Sequence, residues 1–152
     1  MSIVFFTDRD LGKQFPELLF QAGLTVEKHA DHFADITKDE EWLTEVGRRG
    51  WYVITHDQRI RYKPNEKAAV LQAEVGLFVL IGTAPFPELA KNFIVTFPKI
   101  EQFIKKHSRP FIAKIYRPSE KVKMTKSDHP GRVEMWLSDA EWREENKRDS
   151  LE

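Results

Sequence analysis

Trp51-Tyr52-Val53-Ile54-Thr55-His56-Asp57 is the stretch that decides the fold: five aromatic and β-branched residues in succession break off at a histidine and an acid. Such a run, with Gly50 behind it and polar residues ahead, is the clearest strand in the chain. The pattern has a precedent near the amino terminus, where Ile3-Val4-Phe5-Phe6-Thr7 ends abruptly at Asp8-Arg9-Asp10-Leu11-Gly12. Two short apolar strands therefore each run into a loop that begins with an acid.

Helical spacing fills the intervals. Phe15, Leu18, Leu19 and Ala22 recur on one side of a first helix, with Pro16 tolerated in its first turn and Gly23 placed as its C-cap. Leu24 to His29 alternates as a shorter strand, and 30–36 reads as a loop rich in Asp and His. Thr37-Lys38-Asp39-Glu40 matches a capping box, opening a helix with Trp42, Leu43 and Val46 as its apolar stripe and a stop near Gly50. Beyond Asp57, a basic loop Arg59-Ile60-Arg61-Tyr62-Lys63-Pro64 leads into a helix over 65–74, and 75–81 forms a strand closed by Gly82. Two further helices are expected at 85–95 and 98–107, the second carrying Ile100, Phe103 and Ile104, followed by a strand at 111–116. After Pro118 the chain turns polar, with a strand at 133–137 and a helix started by Ser138-Asp139 and carrying Trp142. Alternating strands and helices predict an α/β fold with a mostly parallel central sheet and helices on both faces. The expected division is a domain over 1–117 and a polar extension over 118–152.

With 152 residues and 41% hydrophobic content, the chain has the size of one ordinary domain. The absence of cysteine excludes a disulfide framework, a thiolate zinc site and a cysteine nucleophile, and fits a reducing cytoplasmic setting. No stretch approaches the roughly 20 apolar residues of a membrane helix, and Met-Ser-Ile-Val-Phe-Phe is too short for a signal peptide's apolar core. A soluble, unexported protein is expected, with Leu151-Glu152 read as a vector-derived scar. The histidines show no zinc-site spacing, and neither a Gly-x-Ser-x-Gly elbow nor a phosphate-binding glycine loop is present. Net charge is zero but unevenly spread: residues 1–45 carry 10 acids against 4 bases, and residues 99–126 carry 9 bases against 2 acids. An acidic pocket beside a basic surface suits a metal-dependent enzyme acting on a polyanion; ordinary solvated faces are the alternative.

In open parallel sheets ligands gather beyond the carboxyl ends of the strands, which makes Asp8 and Asp57 candidates for one shared site. Asp39, in the first turn of the helix leading into the third strand, joins them only if the preceding loop folds back. Converging carboxylates repel unless a counter-charge is present, and an all-oxygen donor set favours Mg²⁺ or Mn²⁺. Such an ion can lower the pKa of a water, orient it towards a phosphodiester and stabilise the leaving oxygen. Taken one at a time, each acid has a plainer use: an Asx-turn at Asp8, a helix start at Asp39, a strand end at Asp57. Arg9, Arg59, Arg61 and Lys63 lie in loops at the same edge, where they can hold phosphates or simply be solvated. Tyr62, between Arg61 and Lys63, is a candidate for stacking on a base. Trp51, Phe78 and Phe103 are expected in the core. His56, between Thr55 and Asp57, is the one histidine worth a mutation.

Phe6-Thr7-Asp8, Asp39-Glu40-Glu41-Trp42-Leu43 and Thr55-His56-Asp57, in this order and spacing, resemble the PIN-like nuclease pattern and in particular the VapC-type toxin group. The similarity covers residues 3–116. It implies a three-layer PIN-like fold and a Mg²⁺- or Mn²⁺-dependent ribonuclease with Asp8, Asp39 and Asp57 as catalytic metal ligands. Thr55 would orient a carboxylate or water through its hydroxyl. Many members of the family have a fourth acid shortly after the third; here Gln58-Arg59-Ile60 follows, and Asp10, Glu40 and Glu66 are the substitutes. The resemblance implies an RNA substrate and an antitoxin protein as partners, with a second copy of the chain as a further option. The competing expectations are a non-catalytic α/β interaction module and a related nuclease of RNA maturation or DNA processing.

Overall fold

The computed structural model describes residues 2–119 and 129–151, with side chains to Lys147. Lys121, Lys123 and Lys126 of the basic stretch, and Glu152, lie outside the described residues. Four parallel ladders and one antiparallel ladder join six strands in the order β2-β1-β3-β4-β5-β6. The strands are β1 (Val4–Thr7), β2 (Thr25–Lys28), β3 (Tyr52–Thr55), β4 (Gly76–Leu80), β5 (Phe111–Tyr116) and β6 (Arg132–Ser138). Between them run α1 (Gln14–Gln21), a single turn α2 (His29–His32), α3 (Asp39–Arg48), α4 (Pro64–Gln72) and α5 (Phe86–Lys106), and α6 (Asp139–Leu151) closes the chain.

The inner strands β1, β3, β4 and β5 are apolar at nearly every position because both sheet faces are covered there, whereas the edge strands β2 and β6 are more polar. Successive residues alternate between two cores: Phe5, Ile54, Phe78 and Phe111 pack against Phe15 and Leu19 of α1 and Phe93 and Ile100 of α5. Phe6, Val53, Leu77 and Ile112 pack against Trp42 and Val46 of α3 and Val70 of α4. This is the expected three-layer α/β architecture. The expected tail elements are also present: β6 pairs antiparallel with β5, setting Leu137 opposite Ile112, and Trp142 of α6 packs on the second core.

Three local expectations are corrected. The helices expected at 85–95 and 98–107 are one 21-residue helix, α5, with Pro98 inside it. Proline forfeits one backbone bond and crowds the preceding turn, at a cost of about 3 kcal/mol. Leu89, Phe93, Ile100 and Ile104 form one buried stripe across that point, and their burial outweighs the break. The expected capping box at Thr37 does not form: Lys38 holds the N-cap position and no side chain caps α3. Asp39 instead turns its carboxylate to the Trp42 indole, which donates from Nε1 at 2.9 Å. The loop expected over 30–36 begins with the turn α2, whose His29 is buried.

Candidate active site

The chemistry at the carboxyl edge of the sheet starts from the pairing of β1 with β3. Thr7 lies opposite Ile54, and the Asp8 amide continues the ladder by donating to the Ile54 carbonyl at 3.0 Å. The residue after β1 and the last residue of β3 are thereby placed side by side. Thr55 Oγ1 donates to Asp8 Oδ2 at 2.9 Å, and both side chains are buried. After Asp8 the chain bends into a 3₁₀ turn, Arg9–Leu11, because Leu11 is drawn into the first core and its amide reaches back to the Asp8 carbonyl at 3.1 Å. That bend returns Asp10 to the same hydroxyl: its Oδ2 lies 3.3 Å from Thr55 Oγ1 and accepts the His56 amide at 3.1 Å.

Burial and the neighbouring Asp10 push the Asp8 carboxyl up to about 7, against the opposing bond from Thr55, and Asp39 adds to the rise. Burial likewise raises Asp10, against bonds from the His56 amide and Thr55, with a further upward push from Asp57. Thr55 Oγ1 also accepts the Asp57 amide at 3.2 Å. A hydroxyl has a single hydrogen to give, so it cannot serve two ionised carboxylates at once. The arrangement is satisfied when one acid carries a proton or when a cation replaces that proton.

The other acids stand around this pair. Asp39 is half-buried, bonded to Trp42 and 3.9 Å from the Arg9 guanidinium. Asp57 folds into an Asx-turn, its Oδ1 accepting the Arg59 amide at 3.0 Å, while Oδ2 pairs with Lys63 Nζ at 2.6 Å. That pairing raises the Lys63 pKa. Asp8, Asp10, Asp39 and Asp57 thus form an electrostatic chain, but among the described residues no three His, Cys, Asp or Glu gather as a metal-holding group. Of the substitutes for a fourth acid, Asp10 meets the Thr55 hub. Glu40 lines the groove between α3 and α4, and Glu66 acts on Lys63.

Thr55 occupies the hub, in keeping with its place at the end of β3. The His56 ring is held by the Gly82 carbonyl, 2.7 Å from Nε2; that contact requires a proton on Nε2 and ties the end of β3 to the end of β4, and the ring's charge also acts on Asp10. Of the four basic candidates, Arg9 faces Asp39, Lys63 holds Asp57, Arg59 is exposed, and Arg61 Nη2 donates to Glu145 of α6 at 3.1 Å. Tyr62 is 69% exposed, leaving most of its ring accessible at this edge. Phe78 and Phe103 are core residues, whereas Trp51 is half-buried and stacks on Phe6. Sequence reasoning missed Glu145, whose only signal is an acid on a polar helix. It also missed His29, buried among Phe6, Phe33 and Trp42 with neither ring nitrogen hydrogen-bonded. Burial, then the Arg9 charge, holds His29 below the usual histidine pKa.

A doubly wound α/β sheet with a buried carboxylate, Asp8, interacting with the more exposed Asp10, and Asp10 in turn with Asp57, at the carboxyl ends of adjacent strands defines a class of acidic-site scaffold. A family model described as PIN like domain matches residues 3–82, which is β1 through β4 and more than half of the chain, and the protein belongs to that family. No curated protein and no solved structure matches the chain. No helix among the described residues is long and apolar enough to cross a membrane.

Proposed function

We propose that the protein is a Mg²⁺- or Mn²⁺-dependent nuclease acting on RNA phosphodiesters at the Asp8–Asp10–Thr55 site. The observation that carries this reading is the burial of Asp8 beside Asp10 on one shared hydroxyl, an arrangement that calls for either a proton or a cation and that a metal ion would satisfy with both acids ionised. A hard divalent ion fits that donor set, because magnesium is commonly held by one or two carboxylates and keeps several waters. Asp8 and Asp10 would hold it, with Asp39 and Asp57 as the outlying acids of the matched pattern. When bound, such an ion supplies an activated water and stabilises charge on a leaving oxygen. Thr55 orients Asp8 through the shorter of its two bonds, Arg9 lies 3.9 Å from Asp39, and Arg59 and Tyr62 lie at the edge where a strand of RNA would pass. The finer assignment, a VapC-type toxin held inactive by an antitoxin, rests on the spacing of Asp8, Asp39 and Thr55-His56-Asp57. An adjacent small reading frame encoding a DNA-binding protein would support it.

The test is cleavage of labelled single-stranded RNA with Mg²⁺ or Mn²⁺ by the wild type, Asp8→Asn and Asp10→Asn, each checked for cooperative melting. A loss of more than about a hundredfold is expected in Asp8→Asn, as for removal of a group that holds the catalytic ion. Undiminished cleavage in both variants would overturn the site. Millimolar Mg²⁺ should raise the melting temperature of the wild type and not of Asp8→Asn, since an ion bound only by the folded state stabilises it. Absence of any shift favours the non-catalytic interaction module.

A further inference from the structure

Glu145 sits where its chemistry is least expected. It belongs to a polar helix at the far end of the sequence, yet its two carboxylate oxygens are divided between two cations of the loop and helix that follow Asp57. Oε1 accepts Arg61 Nη2 at 3.1 Å and Oε2 accepts Lys67 Nζ at 2.6 Å. The partners are 84 and 78 residues away in sequence, so the pairing is a product of the tertiary fold. The side chains of Arg61 and Lys67 are about one-fifth exposed, at 20% and 22%. The Arg61 Nε–H is buried and has no hydrogen-bond partner, so the guanidinium retains donor capacity that Glu145 does not use. A carboxylate that bridges two cations is a two-oxygen anion seated in a two-cation site. A phosphodiester presents its two non-bridging oxygens in the same manner, and the planar guanidinium fork suits it.

We infer that Arg61 and Lys67 form a phosphate subsite for the nucleic-acid backbone, and that Glu145 is its built-in competitor, filling the subsite until a polynucleotide displaces it. The inference rests on the nuclease reading for its occupant, because the subsite begins four residues beyond Asp57 at the same sheet edge. The placement of α6 makes the competition possible. β6 runs antiparallel to β5 and ends opposite Phe111, at the amino edge of the parallel strands. The helix then returns along the second core, where Trp142 is anchored, and brings Glu145 to the first turn of α4. Glu145 is the more open member, its side chain 35% exposed, so solvent screens the pairing from that side and lets a competing anion displace it.

The experiment measures binding of a labelled single-stranded oligoribonucleotide in EDTA, so that cleavage does not intervene, by the full chain and by Glu145→Gln. Removing an internal competitor raises the populated open fraction, and a roughly three- to tenfold tighter Kd is expected. The salt dependence should steepen by about 0.7 of a unit of log K per log salt for each further phosphate of the single strand that the freed cations neutralise. Glu144→Gln makes the same charge change one residue away on α6 and should leave Kd unchanged. Adding Arg61→Gln and Lys67→Gln to Glu145→Gln should abolish the tightening. The subsite is overturned if folded Glu145→Gln binds no more tightly, or if the tightening survives loss of both cations. Should Glu145→Gln fail to melt cooperatively, Glu145→Asp takes its place: the shortened side chain can no longer span both cations and should give a smaller effect of the same sign. Inorganic pyrophosphate separates this outcome from failure of the nuclease reading. Tighter pyrophosphate without tighter RNA upholds the cation pair and overturns a polynucleotide as its occupant.

Discussion

Asp8 carries opposite demands: the fold buries it, and the proposed metal site needs it charged. With its carboxyl at about 7 in the folded protein and near 3.8 when free, the native state binds more protons than the unfolded chain across that interval. Stability from this group is therefore intact below about pH 4, falls as pH rises from 4 to 7, and stays reduced above 7. Asp8→Asn removes the titration. In metal-free buffer at pH 8 the variant should be more stable than the wild type by roughly 2–4 kcal/mol, at about 1.4 kcal/mol for each unit of displacement. The difference should close as pH approaches 4. Urea unfolding at several pH values checks this, and a gap independent of pH would show that Asp8 is not protonated by its surroundings. The higher stability expected at pH 8 and the loss of cleavage expected of the same variant would be two faces of one buried carboxylate.

At the scale of elements, α5 shows where a local rule yields to packing. Pro98 is the thirteenth residue of the helix and is exposed, so its cost lies in the backbone bond it cannot make and the turn it crowds, with no core packing at stake. Pro98→Ala restores that donor but loosens the unfolded chain, and a net stabilisation of roughly 1–3 kcal/mol is expected. A rise in melting temperature of about 3–8 °C would register it; an unchanged or lower value would mean that the helix is adapted to the proline. The same contrast explains what can be read from the sequence. β1, β3, β4 and β5 are legible because strands covered on both faces are uninterrupted apolar runs. The continuity of α5 through Pro98 is not, because the stripe that carries the helix across it is a property of the sheet beneath. The site divides likewise: Asp8 and Thr55 follow from two strand ends in parallel register. Which neighbouring acid turns inward does not, for Asp10 reaches Thr55 through a turn set by the burial of Leu11. Asp57 is held by Lys63.

For the whole molecule, the match to the PIN like domain family ends at residue 82, but the sheet does not. β5 adds to β4 and β6 to β5, and Leu137, fully buried, completes the second core opposite Ile112. Lys114 is covered in turn by the Trp136 ring at 4.3 Å, and Trp142 packs on the same core. A chain ending at Arg117 would lack that cover and leave Phe111-Ile112-Ala113-Lys114-Ile115 as an open edge, an apolar template for pairing with other copies. Burial of Leu137 alone contributes about 2–3 kcal/mol, and removing β6 and α6 sacrifices more of the same kind from a total stability of roughly 5–15 kcal/mol. The truncated chain should therefore aggregate on expression or melt more than about 10 °C lower. Size-exclusion chromatography with thermal melting distinguishes the cases. A soluble monomer melting within a few degrees of the full chain would show that residues 1–117 fold alone and that the last strand and helix are an appendage. Aggregation would show that β6 is part of the domain that carries the site, since the edge strand then maintains the sheet on which Asp8 and Thr55 meet.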